Sequence, residues 1–219
     1  MLDQVIRHPI LVARLIAKRI REIPSKGLPV PRWSPADDFD RKYGVETCKI
    51  VQIVPTNSPN FAHGTRYQAS GEAEIRWSIE NCGMPHRETT FVDLGSGKGR
   101  VLIVAASYPF KRIIGIEYSA YLAATARRNL SKLGIGEKCE VIVADAADFA
   151  PPDGDLLAFL YNPFDSVLLK RVLETLARAQ SGRIRLAYLG PGHEVIQACG
   201  CARQIRSGSG PTLYEIGSC

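Results

Sequence analysis

The stretch that most constrains this 219-residue chain is Phe91-Val92-Asp93-Leu94-Gly95-Ser96-Gly97-Lys98-Gly99-Arg100. Apolar residues run into an acid, three glycines follow at alternate positions, and Val101 to Ala106 continues as an apolar helical run. That order predicts a buried strand, a tight loop and the first turn of a helix. Glycine lets such a loop approach a ligand with no Cβ in the way. The helix N-terminus behind it presents unpaired N–H groups. Open α/β sheets hold their ligands at strand ends of this kind. The spacing D-x-G-x-G-x-G differs from the dinucleotide-binding G-x-G-x-x-G, and the phosphate loop G-x-x-x-x-G-K-[ST] is absent. Taken alone, the stretch also fits a plain turn between a core strand and a core helix.

The residues around it repeat the strand–helix alternation. Ser70 is a good N-cap for a helix over 71–82, with Ile75, Ile79 and Cys82 on one stripe. Arg112 to Glu117 predicts a second buried strand, and Ser119 caps a helix from about 120 to 133, with Leu122, Ala126, Leu130 and Leu133 at helical spacing. Cys139 to Val143 is a third strand, followed by Ala144-Asp145-Ala146. Leu156 to Tyr161 is a fourth, followed by Asn162-Pro163-Phe164. Asp165 or Ser166 opens the next helix. Arg183 to Leu189 is a fifth strand, a short helix follows near 193–199, and residues 201–206 and 212–217 form a terminal hairpin. This alternation implies an α/β fold with a mainly parallel sheet and helices on both faces.

Four strand ends therefore carry polar residues to one edge: Asp93, Glu117, Asp145 and Asn162. A carboxylate at the second strand end, Glu117, suits the two hydroxyls of a ribose. Asp145 suits the exocyclic amine of an adenine, with the Ala146 N–H for a ring nitrogen, and Tyr118 and Ala146 flank the ring. The Gly95–Gly99 loop then faces the remainder of the ligand.

In these positions Phe91–Arg100, Ile116-Glu117, Asp145-Ala146 and Asn162-Pro163-Phe164 resemble, in order and separation, the first four motifs of the class I methyltransferases that use S-adenosylmethionine. The resemblance covers about 67–219. It implies the Rossmann-like seven-stranded fold of that superfamily, with the hairpin supplying its antiparallel last strand. It implies S-adenosylmethionine as cofactor, S-adenosylhomocysteine as product and no metal. Carried over by position, it assigns the cofactor to Asp93, Leu94, Gly95, Ser96, Gly97, Glu117, Tyr118, Asp145 and Ala146, with Tyr67 and Asn162 at the pocket's edge.

Asn162-Pro163-Phe164 is similar to the [D/N]-P-P-[Y/F] motif of amino methyltransferases, one proline short. There the Asn carbonyl and the next backbone carbonyl accept hydrogens from the target amine, and the aromatic packs on the acceptor. The same tripeptide also reads as a strand-to-helix turn with Pro at the first helical position. The glycine motif, with a Tyr-containing helix start at 67–70, is further similar to the non-SET protein lysine methyltransferases. A lysine acceptor must lose a proton before attack, and Tyr67, Tyr161 and His193 are the candidates to assist. Asn162, Pro163, Phe164 and Tyr67 are thus the expected catalytic group. The resemblance implies an amine as the expected acceptor, with protein lysine ahead of a nucleic-acid adenine or a small molecule. A non-catalytic S-adenosylmethionine-binding scaffold is the rival from another class.

Residues 1–60 lie ahead of this unit, and 61–219 form the expected methyltransferase domain. Over residues 3–23, Val5, Val12, Ile16, Ile20 and Ile23 share one helical face, and Arg7, Arg14, Lys18 and Arg21 the opposite one. Residues 1–26 hold six basic residues against Asp3 and Glu22, so much of the formal +6 sits there. The rest is close to neutral, which argues against a basic nucleic-acid groove across the fold. This helix suits an anionic membrane surface or an acidic partner, as well as simple packing. Pro24 to Pro35 reads as a linker, Asp37 to Gly44 as a surface turn and Lys49 to Val54 as a strand.

The six cysteines include no C-x-x-C pair, no apolar run reaches membrane-span length, and the N-terminus has no secretory pattern. A cytoplasmic location is the expectation, with peripheral membrane contact through the basic helix. Cytosine carbon-5 methylation is disfavoured, since no cysteine stands at 161–165 to act as nucleophile.

Overall fold

A computed structural model describes residues 37–48, 69–161, 164–178 and 182–217. The basic helix read over 3–23, the strand read over 49–54, and Tyr67, Asn162 and Pro163 lie outside the described residues.

Chain order in the described part begins with α1 (Asp38–Tyr43) and α2 (Glu72–Asn81). The alternating unit follows as β1 (Thr90–Leu94), α3 (Arg100–Ala105), β2 (Arg112–Glu117), α4 (Ala120–Lys132), β3 (Cys139–Val143), β4 (Leu156–Tyr161), α5 (Ser166–Ala177), β5 (Ile184–Leu189) and α6 (His193–Ala198). It closes with β6 (Ala202–Ser207) and β7 (Thr212–Ile216). The seven strands form one sheet in the order β3-β2-β1-β4-β5-β7-β6. β1 to β5 are parallel, and β7 runs antiparallel to both β5 and β6. The expected Rossmann-like architecture and its terminal hairpin are thus present. The strand order reverses beside β1, which places the glycine loop at the switch point where such sheets bind ligands.

Strand residues alternate between two cores, as a pleated sheet covered on both sides requires. Phe91, Ile113, Leu157 and Phe159 face α2, α3 and α4, where Ile75, Ile79, Leu102, Ala126 and Leu130 meet them. Val92, Leu94, Ile116, Ala158 and Leu160 face α5 and α6, with Leu169, Val172, Leu173 and Ile196. A six-residue helix such as α3 has no stability by itself. Burial holds it, at about 1.5–3 kcal/mol for each fully buried large apolar side chain.

Most caps fall where the sequence places them. Ser119 accepts from Leu122 N, and Asp165 accepts from Val167 N and Leu168 N. Two expectations need correction. The N-cap of α2 is Gly71, not Ser70, and Ser70 is buried with its carbonyl turned to Arg100. Asp37 to Gly44 is not a surface turn. Asp37 caps α1, Gly44 closes it in the left-handed region, and Phe39 and Asp40 are buried.

Candidate cofactor and active site

The site is built from the ends of β1, β2, β3 and β4. After β1 the chain turns through Gly95, Gly97 and Gly99, with φ of 89°, 51° and 84°. L side chains rarely adopt that region, so the three glycines are set by conformation as well as by space. The loop leans on β2: Gly95 N and Ser96 N both donate to Ile116 O, at 2.8 and 2.9 Å. Gly115 on β2 makes room for it, since a methyl group there would lie 2.8 Å from Ser96 Oγ and 2.7 Å from Leu102 Cδ1.

Glu117 holds the loop from the neighbouring strand end. Its Oε2 accepts Gly97 N and its Oε1 accepts Ser119 N, each at 2.8 Å. Each carboxylate oxygen has a second lone pair, so the group keeps acceptor capacity for ribose hydroxyls. Burial raises the Glu117 pKa to about 7, against the two amide bonds that favour its charged form. Asp93 is buried as well, and burial together with the Glu117 charge pushes its carboxyl well above the usual range.

Two buried polar atoms at this loop, Asp93 Oδ2 and Ser96 Oγ, have no hydrogen-bond partner among the described residues. Buried polar groups are otherwise nearly always paired. Both residues line a cavity of about 30 Å³, together with Ala69, Ser70, Gly95, Arg100, Val101 and Tyr161. An unpaired carboxyl oxygen and a hydroxyl at a cradle without Cβ atoms fit the ammonium end of a methionine moiety. The residues present therefore fit S-adenosylmethionine.

The other expected positions divide by what their side chains touch. Asp145 Oδ1 accepts Ala147 N at 3.0 Å and caps a short turn in which Ala146 is buried. Tyr118 is half-buried beside Glu117, and burial with that neighbouring charge pushes its hydroxyl up to about 12. Leu94 turns its side chain into the α5-side core, leaving its backbone for the loop. Phe164 is half-buried against the same core. His193 places Nδ1 2.7 Å from Tyr214 Oη, a buried core residue, and stacks edge-on against Tyr188. Cys199 and Cys201 sit at the α6–β6 junction with Sγ atoms 2.9 Å apart, and β6 is an edge strand separated from β1 by β4, β5 and β7.

Tyr161 reaches the cavity beside Asp93 and Ser96 at the last residue of β4. Ser70, Arg100 and Val101 line it too and are absent from the sequence-based assignment. The available signal is Arg100 itself, a cation placed straight after the glycines where no phosphate motif calls for one.

Residues 85–202, more than half of the chain, match a family described as a methyltransferase domain. The chain belongs to that methyltransferase-domain family, and the residues at its strand ends fit S-adenosylmethionine. Among solved structures it is similar to a predicted N6-adenine-specific DNA methylase from Listeria monocytogenes, at 14% identity and a TM-score of 0.56. That match covers 69% of this chain and 52% of the other, so it spans about half of the Listeria protein. An rRNA methylase from Streptococcus thermophilus is also similar, at 16% identity and a TM-score of 0.48, covering 66% of this chain and 93% of that one. At 14% identity the likeness to the Listeria protein is one of fold. Comparison with curated proteins gives no sequence match.

Proposed function

We propose that the protein transfers a methyl group from S-adenosylmethionine to an acceptor amine, with a protein lysine as the favoured acceptor. Support for transfer at this site rests on one observation: the unpaired Asp93 Oδ2 and Ser96 Oγ beside a left-handed glycine loop at the switch point of the sheet. Bound S-adenosylmethionine supplies an electrophilic methyl group on a sulfonium.

Asp93 takes the ammonium end, the Gly95–Gly99 backbone lies along the methionine moiety, and Glu117 accepts from the ribose. Tyr118, Asp145 and Ala146 take the adenine. The Asn162 side-chain carbonyl and the Pro163 backbone carbonyl accept the hydrogens of the amine and aim its lone pair. Catalysis is then mainly positioning for in-line displacement. Tyr161, which lines the cavity, and Tyr67 are the groups assigned to the lysine proton. The lean toward lysine comes from the likeness of the glycine motif and the 67–70 segment to non-SET lysine enzymes.

In the same reading the chain works in the cytoplasm, and its basic N-terminal face meets an anionic membrane surface or an acidic partner. Among the described residues no helix is long and apolar enough to cross a membrane.

The test is methyl transfer from methyl-labelled S-adenosylmethionine into a fractionated cell extract, with calorimetry of S-adenosylhomocysteine binding alongside. Label in a protease-sensitive band supports a protein acceptor. Nuclease-sensitive label moves the acceptor to an adenine of nucleic acid, and label in the small-molecule fraction to a metabolite. Binding without any transfer supports a scaffold, and failure to bind overturns the reading.

A further inference from the structure

Two cations flank Gly99, and both are buried: Lys98 is 1% exposed and Arg100 6%. Lysine and arginine are almost never so buried unless paired. Their partners come from residues 37–48, ahead of the sheet. Lys98 Nζ donates to Glu46 Oε1 at 3.0 Å. Arg100 Nε donates to Thr47 Oγ1 at 2.7 Å, and Nη2 to Asp37 Oδ2 at 2.6 Å, with Asp40 Oδ1 at 3.5 Å. Its plane lies over the Phe39 ring, 4.5 Å from the centroid. Arg100 Nη1 also donates to Ser70 O at 3.3 Å, at the entrance to α2.

The segment is itself tightly held. Asp40 is buried and accepts Thr47 N, Thr47 Oγ1 and Cys48 N. Burial alone would raise its carboxyl, but the hydrogen bonds from Thr47 and Cys48 outweigh it and hold the pKa below the ordinary value. From α4, Asn129 Nδ2 donates to Glu46 O and to Lys98 O, each at 3.0 Å, and its Oδ1 accepts Glu46 N. One amide side chain thus joins the segment, the glycine loop and the helix after β2.

We propose that residues 37–48 are part of the cofactor site, acting as a brace that sets the glycine loop through Lys98 and Arg100, with Asp40 as a positioning residue. This rests on the cofactor reading above. A loop with three left-handed glycines has much conformational freedom to lose, and ordering it in advance spares that cost when a ligand binds. The brace reaches the cavity through Arg100, which Thr47 and Asp37 hold and which lines the cavity with Ser70, Asp93 and Ser96. A brace serving stability alone would contact the far side of the fold equally well. This one grips the residues on either side of Gly99.

Coupling between sites is reciprocal, so the brace can be tested at its own end. In the full chain, saturating S-adenosylhomocysteine should slow amide hydrogen exchange at Thr47 and Cys48, measured by mass spectrometry, while β6 stays unchanged. Asp40→Asn should weaken S-adenosylhomocysteine by on the order of tenfold. Asp155→Asn, which breaks the remote pair with Arg183, should leave that affinity alone even when both variants are compared at equal distance below their melting temperatures. Arg100→Lys, which keeps the charge and loses the fork, should fall between. Unchanged exchange at Thr47 and Cys48 in a wild-type chain that binds the ligand overturns the brace and leaves the cofactor reading intact. Equal effects of Asp40→Asn and Asp155→Asn overturn it too. If Asp40→Asn fails to fold, the wild-type exchange result decides. Failure of the wild-type chain to bind overturns the cofactor reading and the brace with it.

Discussion

Glu117 Oε2 accepts the Gly97 amide at 2.8 Å, so the acid that ends β2 fixes the loop that follows β1. The same carboxylate takes Ser119 N with its other oxygen. Replacing it with alanine removes both anchors and the proposed ribose acceptor. Hydrogen bonds to a charged group are worth about 1.5–3 kcal/mol. Glu117→Ala should therefore weaken S-adenosylhomocysteine by roughly 2–3 kcal/mol, or about 30- to 150-fold. Calorimetry checks it, and an unchanged affinity removes Glu117 from the site.

The same residue makes binding depend on pH. Burial holds the Glu117 pKa up, at about 7 without ligand. In the proposed site, ribose hydroxyls would donate to the ionised form and pull that pKa down, so binding should release a proton. Affinity should rise as pH approaches 7 and level off above about 7. Stability of the ligand-free chain runs the other way. A raised acid pKa means the folded state binds protons more tightly than the unfolded one. The destabilisation is absent below the ordinary value of 4.5, grows as pH rises, and is fully present above about 7. Asp93, raised as well by burial and by the Glu117 charge, adds in the same direction. Buffer-dependent calorimetry near pH 6.5 should register the released proton, and Glu117→Gln should flatten the binding profile and reduce the slope of the stability profile to what Asp93 contributes.

The fold and half of this site were legible because their signals are local. The first two strands are apolar runs with an acid at or beside their last residue, Asp93 in β1 and Glu117 in β2, and register then brings the ends together. Asp93 pairs with Gly115, two residues before Glu117, so both acids leave the same face of the sheet. The brace was not legible for the opposite reason. Asp37 to Gly44 is too short and too charged to carry a helical period, and α1 exists through its two caps and through Phe39 and Asp40 packing near Arg100, some sixty residues on. Ser70 failed as a cap for a related reason. Its carbonyl serves the Arg100 guanidinium, and Gly71 takes the cap position.

Gly115→Ala should damage the loop from beneath. The added methyl would lie 2.7 Å from Leu102 Cδ1 and 2.8 Å from Ser96 Oγ. Overpacking of a filled core costs about 1–3 kcal/mol, and here part of the displacement falls on Ser96. The variant should lose that much stability in urea unfolding and should also bind S-adenosylhomocysteine less tightly. Gly217→Ala, where nothing lies within 4 Å of the new methyl, should change stability by no more than about 0.5 kcal/mol. Equal losses in the two variants would remove the packing of Ser96 over Gly115 as the cause.

Asn162 is the residue whose proposed role separates substrate from cofactor. It follows Tyr161, whose side chain lines the cavity with Asp93, and in the proposed mechanism its carbonyl holds the acceptor amine rather than the donor. A group that acts on the acceptor in the transition state contributes to turnover and little to donor binding. Asn162→Ala should keep S-adenosylhomocysteine affinity within about twofold and lower the initial rate of label transfer by on the order of 100-fold. Asn162→Asp, which keeps an acceptor oxygen at the same place, should recover part of that rate. Parallel losses of affinity and rate would move Asn162 to the cofactor. A rate that stays at the wild-type level would leave Asn162-Pro163-Phe164 as a turn between β4 and α5, and would transfer the task of orienting the amine to Tyr161.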